Sequence, residues 1–374
     1  METKSILCVH QGFELYGSDR SFLQSVRSLR QGFPGARITV ILPEHGLLAD
    51  RMRELADELV IRDMAVLRRS ELRKNIFSFL VHLPARIVRA WLDCRNHDLV
   101  YINTLVLLDF LLASWVPGRR LFIHVREVPG WLTRICFSLL LAPSRAGLIF
   151  NSGFTRKAFF LPKWIHSCVI HNAAQDLHFI CPVDRVEREL HILHLGRFNA
   201  MKGHALLLEA VAGLSAQQRR GLRIRMVGSV FRDQRHHEEN IRRQIREYGL
   251  EAVAQILDFS TCPEKQLEWA HVVVIPSTRP ESFGRTAIEA MSAGRCVIAA
   301  NHGGLREIVT PDVDGLLFKA NDVQDLRESL RKLLDDEDMV SCLGRRGRIK
   351  YSRHFTEQNY ERKFMHFMLS GHPS

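Results

Sequence analysis

The sequence predicts an α/β protein made of two parallel sheets, each covered by helices on both faces. Short apolar segments alternate with segments of helical spacing along the whole chain, which is the pattern of parallel strands joined by crossover helices. The chain has 374 residues, enough for two domains. It is 46% hydrophobic and 25% charged, which excludes a disordered, collagen-like or coiled-coil protein.

The first series of segments predicts six strands and the helices between them. Residues 5–10 form an apolar run that ends in a glycine-containing loop, and residues 21–29 then carry apolar side chains at helical spacing. The best candidate for a membrane span, residues 99–116, contains Asp109, which favours a buried strand and a buried helix instead. The other strands of this series are predicted at residues 37–42, 98–102, 121–125, 147–150 and 168–170.

The second series repeats this alternation after a join at residues 173–190, where Pro182 and several charges replace apolar periodicity. Its predicted strands are residues 191–195, 223–227, 253–257, 272–275, 296–299 and 315–318. Its predicted helices are residues 204–214, 286–292, 322–335 and 340–354. We therefore predict two doubly wound, Rossmann-like domains, at residues 1–175 and 176–353, whose strands would end at a shared central cleft.

The charge of the chain is uneven. The net charge is +11, and residues 1–180 hold 23 Lys and Arg against 15 Asp and Glu, an excess of +8. A basic surface attracts nucleic acid, anionic lipid or phosphorylated substrates, and composition does not decide among them. The apolar run at residues 6–9 is too short for a signal peptide, so we expect a cytoplasmic protein or one held at the inner face of the cell membrane.

The strongest functional pattern lies at residues 276–309. Residues 276–285 connect a predicted strand to a predicted helix. The backbone amides of Phe283, Gly284 and Arg285 would therefore lie at a helix N-terminus, where an anion can bind.

Two glutamates of this segment, Glu281 and Glu289, stand eight residues apart. Helical geometry separates them by at most about 12 Å, so they can accept hydrogen bonds from two hydroxyl clusters of one extended ligand. A ligand with a phosphate between two hydroxyl-bearing groups is a nucleotide-sugar, so this arrangement of carboxylates fits such a ligand. The alternative is that Glu281 caps the helix and Glu289 is a solvated residue.

A second segment, GRFNAMKG at residues 196–203, follows a predicted strand and leads into a helix. Arg197 can bind a pyrophosphate through its planar fork and Lys202 through its compact charge. Gly196 and Gly203 allow tight turns. On its own, the string also fits a solvated basic loop.

Together the two segments resemble the C-terminal domain of the family 4 retaining glycosyltransferases of the GT-B fold, also known as glycosyl transferases group 1. The E-x7-E motif of that family falls on Glu281 and Glu289. The resemblance is looser in the N-terminal half, at residues 17–23, 98–104 and 122–129. The elements PS, ESFG, EAMSAG and GG-x-x-E that flank the motif are present at residues 276–277, 281–284, 289–294 and 303–307.

The resemblance implies a role for each matching residue of the C-terminal half. Glu281 would contact the donor sugar and Glu289 the ribose hydroxyls. No cofactor is implied beyond the donor substrate, a UDP- or GDP-sugar. The groups implied to hold the donor diphosphate are the side chains of Arg197 and Lys202 and the backbone amides of Phe283 and Gly284.

In the N-terminal half the resemblance points to Gly17 and His124. Gly17 would let the backbone of the first loop approach the donor, although Asp19 follows where the family commonly has a small residue. His124 ends a strand near the predicted cleft and would bind or polarise a sugar hydroxyl. A structural role for His124, or Glu127 as the base that activates the acceptor, are the alternatives.

The resemblance also bears on metal binding and on the C-terminus. Asp312 and Asp314 form a DxD string, but they lie in a predicted turn and the family is metal-independent at its donor site, so no metal site is expected. The family's last helix crosses back to the first domain, which implies the same for residues 354–374.

The stretch at residues 68–92 mixes cations with bulky apolar side chains. Such a mixture suits an interfacial helix on an anionic membrane, and an amphipathic helix packed on the core fits as well. Pro84 predicts an interruption of any single helix there. The cations, set against the single acid Glu71, are Arg68, Arg69, Arg73, Lys74, Arg86 and Arg89.

The leading hypothesis is a retaining hexosyltransferase that moves a sugar from a nucleoside-diphosphate sugar to a hydroxyl of a glycan or lipid-linked acceptor, in surface polysaccharide or glycolipid synthesis. Two alternatives stay open. One is a nucleotide-sugar epimerase of the same fold, and the other is a non-catalytic basic binding protein on a GT-B frame. Nucleic acid is not an expected partner, because no aromatic-rich basic RNA motif occurs.

Overall fold

The computed structural model describes residues 3–67, 69–115, 120–177, 189–230, 235–259 and 262–370, with side chains everywhere except at residues 69–75. The chain divides into two compact units. Unit 1 comprises Met1–Asn172 and Gln358–Ser374, and unit 2 comprises Ala173–Glu357. Unit 1 contains a sheet of seven strands and unit 2 a sheet of six. The predicted α/β class with two parallel sheets is confirmed.

The strands of unit 1 are β1 (Ser5–Val9), β2 (Arg37–Leu42), β3 (Glu58–Ile61), β4 (Leu99–Ile102), β5 (Arg120–Val125), β6 (Gly147–Phe150) and β7 (Ser167–Val169). They lie in the order β3-β2-β1-β4-β5-β6-β7, and all neighbours are parallel. The strand order reverses between β1 and β4, so the polar residues that follow these strands meet at one edge of the sheet. The sequence pattern missed β3, because this four-residue edge strand is only partly buried.

The helices of unit 1 within residues 3–172 are α1 (Gly17–Gly32), α2 (Leu47–Met52), α3 (Arg69–Asn96), α4 (Leu108–Ala113), α5 (Trp131–Leu141) and α6 (Gly153–Lys157). The predicted interruption at Pro84 is wrong, since α3 continues through this residue. Proline removes the hydrogen bond to the carbonyl four residues earlier. That residue is Leu80, which is 55% exposed, so the affected turn of α3 is not enclosed in the core.

The strands of unit 2 are β8 (Leu190–Leu195), β9 (Leu222–Gly228), β10 (Ala254–Asp258), β11 (Val272–Ile275), β12 (Cys296–Ala300) and β13 (Leu316–Phe318). They lie in the order β10-β9-β8-β11-β12-β13, again parallel throughout. Here the order reverses between β8 and β11. The loops after these two strands, residues 196–203 and 276–284, are the two segments that carry the sequence motifs.

Helices cover both faces of the unit 2 sheet. Alternate residues of β11 show this, because Val272 and Val274 belong to one buried cluster and Val273 and Ile275 to another. The helices after β8 are α7 (His204–Ala212), α8 (Ala216–Arg220), α9 (His236–Glu247), α10 (Glu264–Trp269), α11 (Arg285–Ser292), α12 (Leu305–Ile308), α13 (Val323–Asp335), α14 (Glu337–His354) and α15 (Glu357–Ser370).

The last helix, α15, packs on unit 1. The Tyr360 hydroxyl lies 2.7 Å from the Ser25 hydroxyl of α1. The rings of Phe364 and Tyr101 meet edge to face at 5.5 Å. The C-terminal helix therefore contributes to the core of the unit that begins the chain.

Candidate functional site

The two motif loops of unit 2 are joined by backbone contacts. The Thr278 amide donates to the Met201 carbonyl at 2.8 Å, and the Thr278 hydroxyl donates to the Ala200 carbonyl at 2.9 Å. Gly203 has a φ of +72°, and a Cβ added there would lie 1.8 Å from the Pro276 carbonyl oxygen. Only glycine fits this position, so the glycine of the KG string lets the two loops approach each other.

Lys202 and Glu281, one from each loop, form an ion pair. Lys202 Nζ lies 2.6 Å from Glu281 Oε1, and the side chains are 29% and 16% exposed. The Ser277 hydroxyl donates to the same oxygen, and Asn199 Oδ1 accepts the Lys202 amide at 3.1 Å. Burial raises the pKa of Glu281. The charge of the Lys202 ammonium and the hydrogen bonds from Lys202 and Ser277 outweigh burial and hold the pKa below its ordinary value.

Helix α11 begins directly after this pair. Gly284 precedes it with a φ of +117°, and a Cβ there would lie 2.5 Å from Leu305 Cδ2. The Ala287 amide donates to the Gly284 carbonyl at 3.0 Å, and the amides ahead of it have no acceptor within the helix. The N-cap residue of α11 is Gly284, so no side chain at that position caps the helix.

Phe283 lies in the buried core, where its ring meets Phe355 at 6.1 Å. Any contribution of Phe283 to a ligand site therefore comes from its backbone. Glu289 faces Arg285 one turn away, with Arg285 Nε 2.8 Å from Glu289 Oε1. Because the Glu289 side chain is 15% exposed, it is not a solvated residue.

The GG-x-x-E element lies against the backbone of the Glu281 loop. The Gly304 amide donates to the Glu281 carbonyl at 2.9 Å, and a Cβ on Gly303 would lie 2.5 Å from the same oxygen. His302 Nε2 lies 2.8 Å from the Ser277 carbonyl. Ser277, Asn199 and His302 thus hold the site in shape. Sequence reasoning gave none of the three a role, although each lies within or beside a motif.

A pair of buried histidines lies near Lys202. His194 and His204 meet edge to face at 4.2 Å, and His194 Nδ1 lies 3.0 Å from the Val274 carbonyl. Burial, with a contribution from the Lys202 charge, lowers the pKa of His194 to about 4. Both histidines are neutral at neutral pH, since burial also lowers the pKa of His204.

In unit 1, His124 is completely buried at the end of β5. Its Nδ1 lies 2.8 Å from the Tyr101 hydroxyl and 3.1 Å from Arg126 Nη2. A guanidinium can only donate, so Nδ1 accepts and Nε2 carries the proton. Burial and the neighbouring Arg126 charge hold the pKa of His124 well below its ordinary value. His124 is therefore a neutral N–H donor, and its Nε2 has no hydrogen-bond partner within the described chain.

Arg126 is the centre of this network, and the sequence analysis gave it no role. Its Nε donates to Asn103 Oδ1 at 2.7 Å and its Nη1 to Asn172 Oδ1 at 2.6 Å. The sequence did contain a signal for this role. Arg126 comes two residues after His124, and alternate residues along an extended chain point to the same side.

Glu127 accepts hydrogen bonds from Thr104 and from backbone amides. Burial raises the pKa of Glu127.

The network continues to the first loop. Asn103 Nδ2 donates to His10 Nδ1 at 3.0 Å, and His10 Nε2 lies 2.9 Å from Asp19 Oδ1. Asp19 Oδ2 accepts the Leu15 amide at 2.8 Å. The residue that departs from the family pattern thus fixes the loop ahead of α1. Gly17 is the first residue of that helix.

The structure brings some predicted residues together and keeps others in separate units. Lys202 and Glu281 are in contact, and Arg197 lies in the same loop as Lys202. Gly17 and His124 belong to unit 1. The described residues contain no group of three or more metal-ligating side chains. Asp314 of the DxD string instead accepts the Thr310 amide at 2.7 Å and pairs with Lys350 at 3.0 Å.

Part of the predicted membrane stretch is described. Arg68 and the side chains of residues 69–75 lie outside the described part. The remainder of α3 exposes Phe77 (77%) and Val88 (58%) and buries Ala90 and Cys94. Within the described chain, none of the helices combines the length and apolarity needed to cross a bilayer.

The sequence of unit 2 is similar to those of known glycosyltransferases. Residues 182–350 match the family model described as glycosyl transferases group 1. An uncharacterized glycosyltransferase of Methanocaldococcus jannaschii, MJ1178, is 39% identical over 84 residues, which cover 22% of this chain and 23% of that protein. A D-inositol 3-phosphate glycosyltransferase of Corynebacterium aurimucosum is 34% identical over 173 residues, which cover 43% of this chain and 40% of that protein. The matched part spans less than half the length of these relatives.

The similarity to solved structures extends over nearly the whole chain. The crystal structure of Anabaena Alr3699/HepE in complex with UDP and glucose superposes with a TM-score of 0.83. The two sequences are 20% identical, and the match covers 98% of this chain and 100% of the other. At this identity, the similarity shows a shared fold.

Proposed function

Because the chain is a member of the glycosyl transferases group 1 through its residues 182–350, we propose that it transfers a sugar from a nucleoside-diphosphate sugar to an acceptor hydroxyl. Its GT-B fold is the frame for this reaction. The observation that carries the proposal is the contact between Lys202 and Glu281, at the loops where the strand order of unit 2 reverses. Ligands of doubly wound sheets bind at that place.

The diphosphate leaving group gains negative charge as the glycosidic bond breaks. Lys202, Arg197 and the amides at the start of α11 stabilise that charge more strongly in the transition state than in the bound donor. Binding of the donor gives each member of the Lys202–Glu281 pair a new partner. The ammonium then contacts phosphate oxygens, and the carboxylate accepts hydrogen bonds from the donor sugar. Glu289 binds the ribose hydroxyls.

Transfer proceeds with retention, through attack from the face that the diphosphate leaves. Both candidate carboxylates of unit 2 are held by cations, Glu281 by Lys202 and Glu289 by Arg285. This supports binding roles for the two glutamates, and the departing phosphate then accepts the proton of the acceptor hydroxyl. The reaction needs no metal ion, since the cations and amides supply the positive charge. In unit 1, the Nε2–H of His124, which has no partner among the described residues, donates to a sugar oxygen.

The donor is a UDP- or GDP-sugar, and the UDP held by the Anabaena protein favours UDP. The acceptor is a glycan or a lipid-linked hydroxyl in polysaccharide or glycolipid synthesis. Contact with the inner face of the cell membrane through residues 68–92 fits a lipid-linked acceptor. The exposed Phe77 and Val88 on α3 support that contact.

A nucleotide-sugar screen followed by product analysis tests the proposed function. We expect one UDP- or GDP-sugar to bind, and mass analysis with membrane extracts to show an acceptor heavier by one sugar residue. Nuclear magnetic resonance of the product should show the same anomeric configuration as the donor. Conversion of the donor without an acceptor would indicate an epimerase. Binding of no nucleotide-sugar would contradict the proposal and favour a non-catalytic protein.

A further inference from the structure

Helix α5 (Trp131–Leu141) of unit 1 is apolar on two opposite sides. Phe137 and Leu141 are buried in the core. On the outer side, Trp131 (63% exposed), Ile135 (38%) and Leu139 (68%) form a stripe with a spacing of four residues. An apolar side of a helix is normally covered by another part of the protein or by a partner. We therefore expect a partner to cover the outer stripe of α5.

Three exposed aromatic rings extend this stripe into one surface. Trp115, 47% exposed, donates through its indole N–H to the Leu140 carbonyl at 3.0 Å. Trp164, 74% exposed, is held near the end of α5 by a contact of 3.5 Å from its indole N–H to the Ala142 carbonyl. Phe160, 71% exposed, donates its amide to the Ser138 hydroxyl at 3.1 Å. Anchored rings of this size rarely face water together without a partner.

The stretch of sequence that supplies α5, Phe160 and Trp164 carries charge of one sign. The chain has no Asp or Glu between Glu127 and Asp176. Two acids lie nearby in the sequence. Glu127 accepts hydrogen bonds from Thr104 and from backbone amides, and Asp109 is buried, with 2% of its surface exposed. The cations of the acid-free run are Arg134, Arg145, Arg156, Lys157 and Lys163.

We propose that this surface, formed by α5, Trp115, Phe160 and Trp164, docks on an anionic lipid bilayer. The apolar stripe enters the boundary between headgroups and acyl chains, the indoles lie at the interface, and the cations meet lipid phosphates. A protein partner would more commonly meet a patch rimmed by both signs of charge. The inference extends the membrane contact proposed for α3 to a second segment, and it rests on the proposed function only for the purpose of the contact.

A cavity at the rim of the surface offers a place for one headgroup. Its volume is about 390 Å³, within the range of small-ligand sites. Arg145, Trp164 and His166 are among the residues that line it. Arg145 can meet a phosphate there while Trp164 contacts the glycerol backbone.

Vesicle flotation with the full chain tests the proposal. We expect binding to phosphatidylcholine vesicles that contain phosphatidylglycerol, and weak binding to vesicles of phosphatidylcholine alone. Leu139→Glu combined with Trp164→Glu should reduce the binding about tenfold or more. Ile349→Glu is the matched control, since Ile349 is 50% exposed on α14 of unit 2, and it should leave the binding unchanged.

A charge variant keeps the test valid if the glutamate variant fails to fold. Arg145→Gln with Lys163→Gln should weaken binding to the anionic vesicles alone, whereas Arg345→Gln with Arg346→Gln on α14 should not. Equal binding by all variants, or no vesicle binding by the wild type, would overturn the proposal. Self-association of the wild type that Leu139→Glu abolishes would assign the surface to a second copy instead.

The same samples separate this inference from the proposed function. Titration of UDP and GDP in solution measures nucleotide binding, which the proposed function assigns to unit 2, in the absence of any membrane. Loss of vesicle binding with intact nucleotide binding in the docking variants supports the surface. Vesicle binding by a wild type that binds neither nucleotide would contradict the proposed function and leave the docking surface standing.

Discussion

The strand order reverses at one point in each unit, and the polar residues at these two points differ in how far they are exposed to solvent. In unit 2, the loops after β8 and β11 bring Lys202 and Glu281 together as a charged pair with 29% and 16% of their side chains exposed. In unit 1, the polar residues after β1, β4 and β5 form a sealed network around Arg126, which is 7% exposed. The charged pair of unit 2 is partly open to solvent, whereas the network of unit 1 is closed to it.

The difference follows from how each polar group is satisfied. Lys202 and Glu281 are partly exposed, and in the proposed function a diphosphate and a sugar would replace the contact between them. Arg126 donates to Asn103, Asn172 and His124, and removal of these bonds leaves buried acceptors unpaired. We infer that unit 2 adapts to its ligand while unit 1 holds His124 in one orientation.

The largest effect that would break this comparison is expected from Gly203→Ala. The added Cβ would lie 1.8 Å from the Pro276 carbonyl oxygen, so the two motif loops must separate. We expect a loss of about 4 kcal/mol in the free energy of unfolding of unit 2 and loss of nucleotide binding.

Gly249→Ala is the matched control, because Gly249 has a φ of +61° and a Cβ there would meet nothing within 4 Å. It should cost only about 1 kcal/mol of backbone strain. Denaturant unfolding and calorimetry measure both variants. Equal effects from the two glycines would show that the loop contact is unimportant.

A smaller effect is expected from Arg126→Met, which opens the network of unit 1. We expect a loss of about 3 kcal/mol in local stability, measured as faster amide hydrogen exchange in β4 and β5. Exchange in β8 and β11 and the affinity for nucleotide should stay unchanged. Arg156→Met on the exposed side of α6 serves as the control. If nucleotide affinity falls with Arg126→Met, the two places do not act separately.

The comparison also explains what the sequence could predict. The groups of unit 2 come from two short contiguous loops, so their motifs are visible in the sequence. Arg126 meets Asn103 and Asn172, which lie 23 and 46 residues away, and no local pattern records such contacts. The strand β3 was missed because an edge strand lacks a long apolar run. The passage of α3 through Pro84 depends on solvent exposure, which the sequence does not state.

Calorimetric titration of Lys202→Ala tests the central claim most directly. The measured quantity is the ratio of affinities for the nucleoside diphosphate selected in the screen and for its nucleoside, because this ratio isolates the diphosphate. We expect the ratio to fall about a hundredfold or more in Lys202→Ala. In Lys350→Ala, which removes the comparable ion pair with Asp314, the ratio should be unchanged. An unchanged ratio in Lys202→Ala would mean that the diphosphate is bound elsewhere.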